Sequence, residues 1–415
     1  MFRSLTARWV TALVVFIAVL AVLRYKPWQH TNRPADATHV AGGRELLQVG
    51  FLPVTCHLTC PVTDFATKTS KSTRFVSQRF TDFPTVVESI KAGRLQASFM
   101  IAPLAMKLRE QGVPVKILYL GHRDGSEVMV RKDLAVTSLR DLRGKTFAIP
   151  SKYSNQNLVL HKLMQDQGVK PEEIKFVEMP PPDMPGALAA KAIDAYFVGE
   201  PFAAKAELDG SARVLYYAKD IWPHFISCVL VVHEKLIKER PAVVRDLVRG
   251  IAESGEWAET HRVDAARVVS PYFRQDEKVV RFVLTKPPDR VSYRMLNPSD
   301  QEMEKIRDMG IEAGILTVRT PMSDLLDRSF IPSDIKAADI DMSSAGQVNL
   351  LAPLRRDHLA RCIAGHFAQS LAAVPPLQVI CPRARIPDIA LARPLERDET
   401  PGSALLNLLD HANTL

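Results

Sequence analysis

The stretch from Gly144 to His233 constrains this chain more than any other part of it. It contains GKTFAIPSKYSNQNLVLHKLMQDQG, then AIDAYFVGEPFAAKAELDGSARVL, then DIWPHFISCVLVV. Each piece holds a run of β-branched and aromatic residues beside a polar or Pro-punctuated turn. Between the runs lie segments of helical period. Strands alternating with helices of about ten residues specify an α/β architecture with a mainly parallel sheet. Such sheets bind ligands beyond the C-terminal ends of their strands, so the turns after these runs are the places to look for a site.

The same grammar extends to both sides. Leu46–Leu52 and Thr73–Phe80 read as strands, and Pro84 opens a helix that Gly93 closes. ASFMIAP reads as a strand ending at Pro103, and Lys116–Leu120 and Glu127–Arg131 flank the turn GHRDGS. At Thr137 the pattern restarts. A short helix leads through Gly144 into a strand, and Ser151 precedes a helix over Asn155–Gln167 with Gly168 as its C-cap. Ile174–Met179 is a strand, PPPDMPG a rigid turn and Ala187–Ala192 helical; Ala195–Val198, Val214–Tyr217 and Val229–Val232 are strands. From Pro241 the chain turns helical, with Val244, Leu247, Val248 and Ile251 on one face. Ser299 and Glu302 form a capping box for a helix to about Ala313. Residues 336–415 carry no sustained period, and no internal repeat is present.

At 415 residues there is room for more than one domain. The net charge is +8, but both signs are scattered and no Lys/Arg stripe with interleaved aromatics appears, which argues against a nucleic-acid partner. Arg3 and Arg8 precede an apolar run from Trp9 to Leu23, closed by Arg24 and Lys26. That is the pattern of an export signal. No small-residue cleavage site follows, so residues 1–28 are expected to be a signal peptide or, in preference, an uncleaved signal-anchor in the inner membrane. Residues 29–44 would then be a tether. The five cysteines are Cys56, Cys60, Cys228, Cys362 and Cys381, an odd number. There is no Walker A loop, no GxGxxG, no HExxH and no GxSxG.

SLRDLRGKTFAIP resembles the segment that opens the second lobe of the periplasmic substrate-binding proteins of ABC transporters. ASFMIAP is similar to the strand that ends at their ligand cleft. KAIDAYFVGEPFAAKA followed by DIWPHFISCVLVV resembles the nitrate/bicarbonate and sulfonate/taurine branch, which includes proteins of thiamine-pyrimidine metabolism. The resemblance covers residues 45–335. It implies an α/β, two-lobed, periplasmic-binding-protein type II fold, each lobe a mostly parallel sheet flanked by helices. Lobe 1 would hold residues 45–133 and 234–335, and lobe 2 residues 134–233. It also implies hinge closure on a small anionic, sulfonate- or nitrate-like solute, delivered on the periplasmic side of the inner membrane to an ABC permease and its ATPase. No catalytic residue, metal or cofactor is expected. The rivals are an enzyme of the thiamine-pyrimidine synthase type on the same fold and a membrane-tethered sensor. The first-strand loop, TCHLTCPVTDFA, departs from the apolar helix usual in that branch.

Candidate ligand-binding residues follow from the strand ends. Thr55, Cys56 and His57 end the first strand, and Pro103 ends ASFMIAP. Ser151, Ser154, Asn155 and Gln156 stand at a helix N-terminus, a natural anion site. Ser126 lies in the turn near the hinge, with His122 and Arg123. Glu200 ends a strand, where its carboxylate would bind a ligand ammonium or salt-bridge the hinge, and Trp222 with His224 is a candidate wall. Cys56 and Cys60 are expected to form a short disulfide, helped by Pro61, which biases Cys60 away from helical geometry. A metal reading of Cys56, His57 and Cys60 with His224 and Cys228 is weakened by the spacing, since C-x3-C is not a usual zinc pattern.

Overall fold

In a computed structural model of the chain, the residues described are 44–66, 70 and 73–344. They fall within one compact unit. The apolar N-terminal run, the tether and the tail beyond residue 344 lie outside the described residues. No described helix is long and apolar enough to cross a membrane.

Twelve strands are present among the described residues: β1 (Glu45–Phe51), β2 (Thr73–Arg79), β3 (Ala97–Ile101), β4 (Val115–Leu120), β5 (Arg123–Asp124), β6 (Ser126–Arg131), β7 (Thr146–Ile149), β8 (Lys175–Glu178), β9 (Ala195–Gly199), β10 (Ala212–Tyr217), β11 (Cys228–His233) and β12 (Val291–Ser292). They form one sheet in the order β2-β1-β3-β11-β4 and another in the order β10-β6-β9-β7-β8. β1 is parallel to β2, from Glu45 opposite Thr73 to Phe51 opposite Arg79, and parallel to β3. β11 alone runs against its neighbours β3 and β4. In the second sheet β9, β7 and β8 are parallel, and β6 alone opposes β9 and β10. The fold is thus α/β and two-lobed, and the two reversed strands, β6 and β11, are those by which the chain enters one lobe and re-enters the other.

The crossings lie side by side. Asp124 donates its N–H to Phe225 O (2.8 Å), and Phe225 N–H returns a bond to the Asp124 carboxylate (3.0 Å). β12 pairs with β5, adding a third strand of chain there. The first crossing falls at Gly121–Gly125, earlier than the expected boundary after residue 133. Ser126–Arg131 has its partners in the second sheet, and a strand's lobe is set by pairing, which its composition does not reveal.

Local signals explain most helices. Ser154 accepts the N–H of Asn157 (3.2 Å) and Gly168 adopts φ 63°, so the Asn155–Gln167 helix is capped at both ends. The Pro241–Thr260 helix buries Val244, Leu247, Val248 and Ile251. Two readings need correction. Pro103 does not end a strand: β3 stops at Ile101, and Pro103 sits in the first turn of the Ala102–Glu110 helix, where its missing N–H has no helical partner to lose. For the same reason Pro61 sits in the first turn of a short helix, Thr59–Thr63, so Cys60 is helical after all.

Candidate functional site

The lobes meet along a seam of buried polar groups. Thr55–His57 forms a tight turn after β1. Thr55 Oγ1 lies 2.9 Å from His122 Nε2, its N–H donates to Glu200 O (2.7 Å), and its carbonyl accepts from the Tyr293 hydroxyl (2.9 Å). His57 Nδ1 accepts the N–H of Leu52 at 2.7 Å, and the ring stacks on Phe99. Cys56 Sγ is 2.8 Å from Cys228 Sγ. Gly121 runs against this turn so closely that an added Cβ would lie 2.0 Å from Cys56 O.

From the second lobe, the start of the Asn155–Gln167 helix reaches both crossings. Asn155 Nδ2 donates to Ile226 O. Gln156 Nε2 donates to Ser126 Oγ (3.2 Å) and Ser227 Oγ (3.1 Å). Four side-chain atoms along these contacts are buried without a partner: His57 Nε2, His122 Nδ1, Asn155 Oδ1 and Gln156 Oε1. Burial holds His122 down to about 3, so its ring is neutral at physiological pH. His122 and the two amides are thus neutral hydrogen-bonding groups, and a buried polar atom is costly until something bonds it.

Beneath the seam lies a buried ionic group. Arg290 Nε is 2.6 Å from Glu200 and 3.5 Å from Glu127, and its NH2 is 2.8 Å from Glu207. Burial, then the neighbouring Glu200 charge, pushes Glu127 well above the usual carboxylate range. Burial alone would lower Arg290, but the three carboxylates outweigh it and hold it raised.

The structure thus brings together Thr55, Cys56, His57, Ser126, Asn155 and Gln156. Ser154 is buried as the helix cap, and Ser151 Oγ accepts from Tyr153 N–H (3.1 Å). Ser151 also lines a cavity of about 250 Å³ between the lobes, with Phe83, Leu104, Tyr153 and Glu178. Pro103 is buried in its helix. The Glu200 carboxylate is turned to Arg290 and to the N–H of Ala204, the hinge alternative of the two expected for it. Trp222 carries Lys305 Nζ 4.4 Å above its ring, and His224 is exposed with φ 60°, so neither joins the buried contacts described above. Cys56 and Cys60 are not bonded to each other. Both thiols are free, and Cys60 Sγ instead lies 3.3 Å from Ser77 Oγ. Ser227, Glu127 and Arg290 carried no local sequence signal, because their roles depend on partners distant in the chain.

A sequence model of the NMT1-like family matches residues 41–271. The chain is 29% identical over 195 residues to a nitrate import ATP-binding protein of Synechocystis, covering 43% of this chain and 29% of that protein. It is 26% identical over 181 residues to the taurine-binding periplasmic protein of Escherichia coli, covering 43% of this chain and 55% of that one. The chain thus spans about a third to a half of the length of these curated relatives. Among solved structures, the zinc-bound ligand-binding component of an ABC-type import system from Staphylococcus aureus aligns with a TM-score of 0.63 at 24% identity, covering 69% of this chain and 98% of that one.

Proposed function

Because the chain belongs to the NMT1-like family, we propose that it is an extracytoplasmic solute-binding protein that closes on a small anionic solute of the nitrate or sulfonate kind and presents it to an ABC permease and its ATPase. The observation that carries this reading is the seam: buried polar groups from both lobes, four of them with an unpartnered atom, converging beside a helix N-terminus. The helix N-terminus and a histidine ring nitrogen that carries its proton hold an anion without the cost of burying a cation, while the unpaired amide oxygens of Asn155 and Gln156 accept from N–H or O–H groups of the solute. Contacts from both lobes favour the closed arrangement once the solute is in place. The names of the relatives point the same way, to nitrate and taurine. Placement on the periplasmic side, held by residues 1–28, belongs to the same proposal.

Calorimetric titration of the purified protein with nitrate, bicarbonate, taurine and ethanesulfonate tests it. Submillimolar binding of at least one is expected. If none binds while a cationic or uncharged solute does, the reading fails. Gln156→Ala should weaken binding of a solute that carries an ammonium, such as taurine, by about tenfold to a hundredfold, the worth of a hydrogen bond from a charged donor to the unpaired Gln156 Oε1. Its melting temperature should move by only a few degrees, because Gln156 bonds to two serine hydroxyls that can turn to other partners. A variant that binds as tightly as wild type would remove Gln156 from the site.

A further inference from the structure

Cys56, His57 and Cys228 stand apart from the rest of the seam. Their ligating atoms lie within 4.8 Å of one another, and all three residues are buried. The trio has the composition of a soft-metal site. Its hydrogen bonding argues otherwise. His57 Nδ1 accepts the N–H of Leu52 at 2.7 Å, so its lone pair is committed and a neutral ring carries its proton on Nε2. A metal-ligating histidine has the reverse arrangement, with its second nitrogen donating outward. Nε2–H is instead a donor with no partner that meets hydrogen-bond geometry, close to the two sulfurs.

The sulfurs are 2.8 Å apart, so less than 1 Å of approach separates them from a bond of about 2.05 Å. Burial would push both thiols up. At Cys56 it does so. At Cys228 the Cys56 thiol, the His57 ring and the Ser227 hydroxyl outweigh it and bring the group down to about 5. One member of the pair therefore holds the proton and the other the charge, the division that thiol–disulfide exchange needs.

We propose that Cys56 and Cys228 are a redox pair that interconverts between a dithiol and a disulfide beneath the seam. The oxidant is an external disulfide, RSSR, from a small molecule or an oxidising protein. The Cys228 thiolate attacks one sulfur of RSSR, forming a mixed disulfide and expelling RS⁻. Cys56 gives its proton to the expelled thiolate, attacks Cys228 Sγ and releases the second RS⁻. Counting the protons of Cys56 and Cys228, a dithiol and RSSR become a protein disulfide and two RSH. Cys56 and Cys228 are 2% and 1% exposed, and Gln156 of the second lobe is bonded to Ser227, the neighbour of Cys228. Reaction therefore proceeds when the lobes part. The bond would tie the turn after β1 to the start of β11 across 172 residues of chain. This proposal does not depend on which solute the protein carries.

The test is peptide mapping of the full-length protein, purified reduced, incubated with oxidised glutathione and then alkylated. A cross-linked peptide pair joining Cys56 to Cys228 is expected, with Cys60 alkylated. Oxidation should raise the melting temperature by roughly 5 °C, as closing so long a loop does, and Cys228→Ser should abolish that rise. Recovery of Cys56 and Cys228 both alkylated, a Cys56–Cys60 linkage, or a metal ion retained on the reduced protein in native mass spectrometry would each overturn the proposal. The wild-type map reads the outcome even where the serine variant does not fold.

Discussion

Arg290→Met is expected to cost about 3–5 kcal/mol of stability at neutral pH, because it removes the cation from a buried carboxylate group. Arg290 has the largest fully buried side chain among the described residues. It meets Glu200, Glu127 and Glu207 at 2.6, 3.5 and 2.8 Å. Methionine fills much of its volume but leaves Glu127 facing Glu200 with no compensating charge. The cost should therefore depend on pH. Glu127 is already raised by burial and by Glu200, and losing Arg290 raises it further. A group whose pKa is higher folded than unfolded takes up a proton on folding, so stability rises as pH falls through the window between the two values. Urea denaturation at pH 7.5 and pH 5 should show the deficit shrinking in acid, and Glu127→Gln in the Arg290→Met background should recover part of it at pH 7.5. A deficit that grows in acid would show that the carboxylates are not its source.

The second large effect is expected at Gly121. Alanine there places a methyl group 2.0 Å from Cys56 O, 3.0 Å from Cys56 C and 3.3 Å from Cys228 O. All three neighbours are backbone atoms, so no side chain can rotate out of the way. Gly121 N–H also donates to Cys228 O at 2.9 Å, which fixes the crossing from the other side. Overpacking of this kind costs about 3 kcal/mol, the upper end of its usual range. Gly121→Ala should therefore melt many degrees below wild type and, because the turn carrying Thr55–His57 must move, should lose solute affinity as well. Thermal melts and titrations on the same sample check both. A variant melting within 2 °C of wild type would mean that the contact relaxes without cost.

What the sequence revealed was mostly local. Ser154 and Gly168 bracket a helix whose start and stop need only neighbouring residues, and Ser299 with Glu302 does the same for the Asp300–Glu312 helix. The first strand end gave Thr55–His57, the start of a helix gave Asn155–Gln156 and the turn near the hinge gave Ser126, and these meet at the seam. What stayed hidden depends on partners far apart in the chain. Cys60 is only four residues from Cys56 and drew the pairing, but the turn points Cys56 toward Cys228 instead. Glu200 presents the same sequence whether its carboxylate faces a ligand or Arg290, which lies 90 residues away. The Phe202–Leu208 helix starts directly after Pro201, and since a proline can stand at either end of a helix, the local sequence alone does not fix that start.

The reversed strand β11 has a consequence for how the chain is made. It is the only strand between β3 and β4, so until it arrives those two face each other across an empty slot with their backbone groups unpaired. β4 ends at Leu120 and β11 begins at Cys228, and everything between belongs to the crossings and the other lobe. At about 5–20 residues per second of synthesis, the first lobe waits roughly 5–20 s with an open sheet while the second is completed. A growing chain of this design does not finish its lobes in sequence order. The lobe begun first is sealed last, and a truncation anywhere before His233 should leave a sticky, incomplete sheet in place of a folded half.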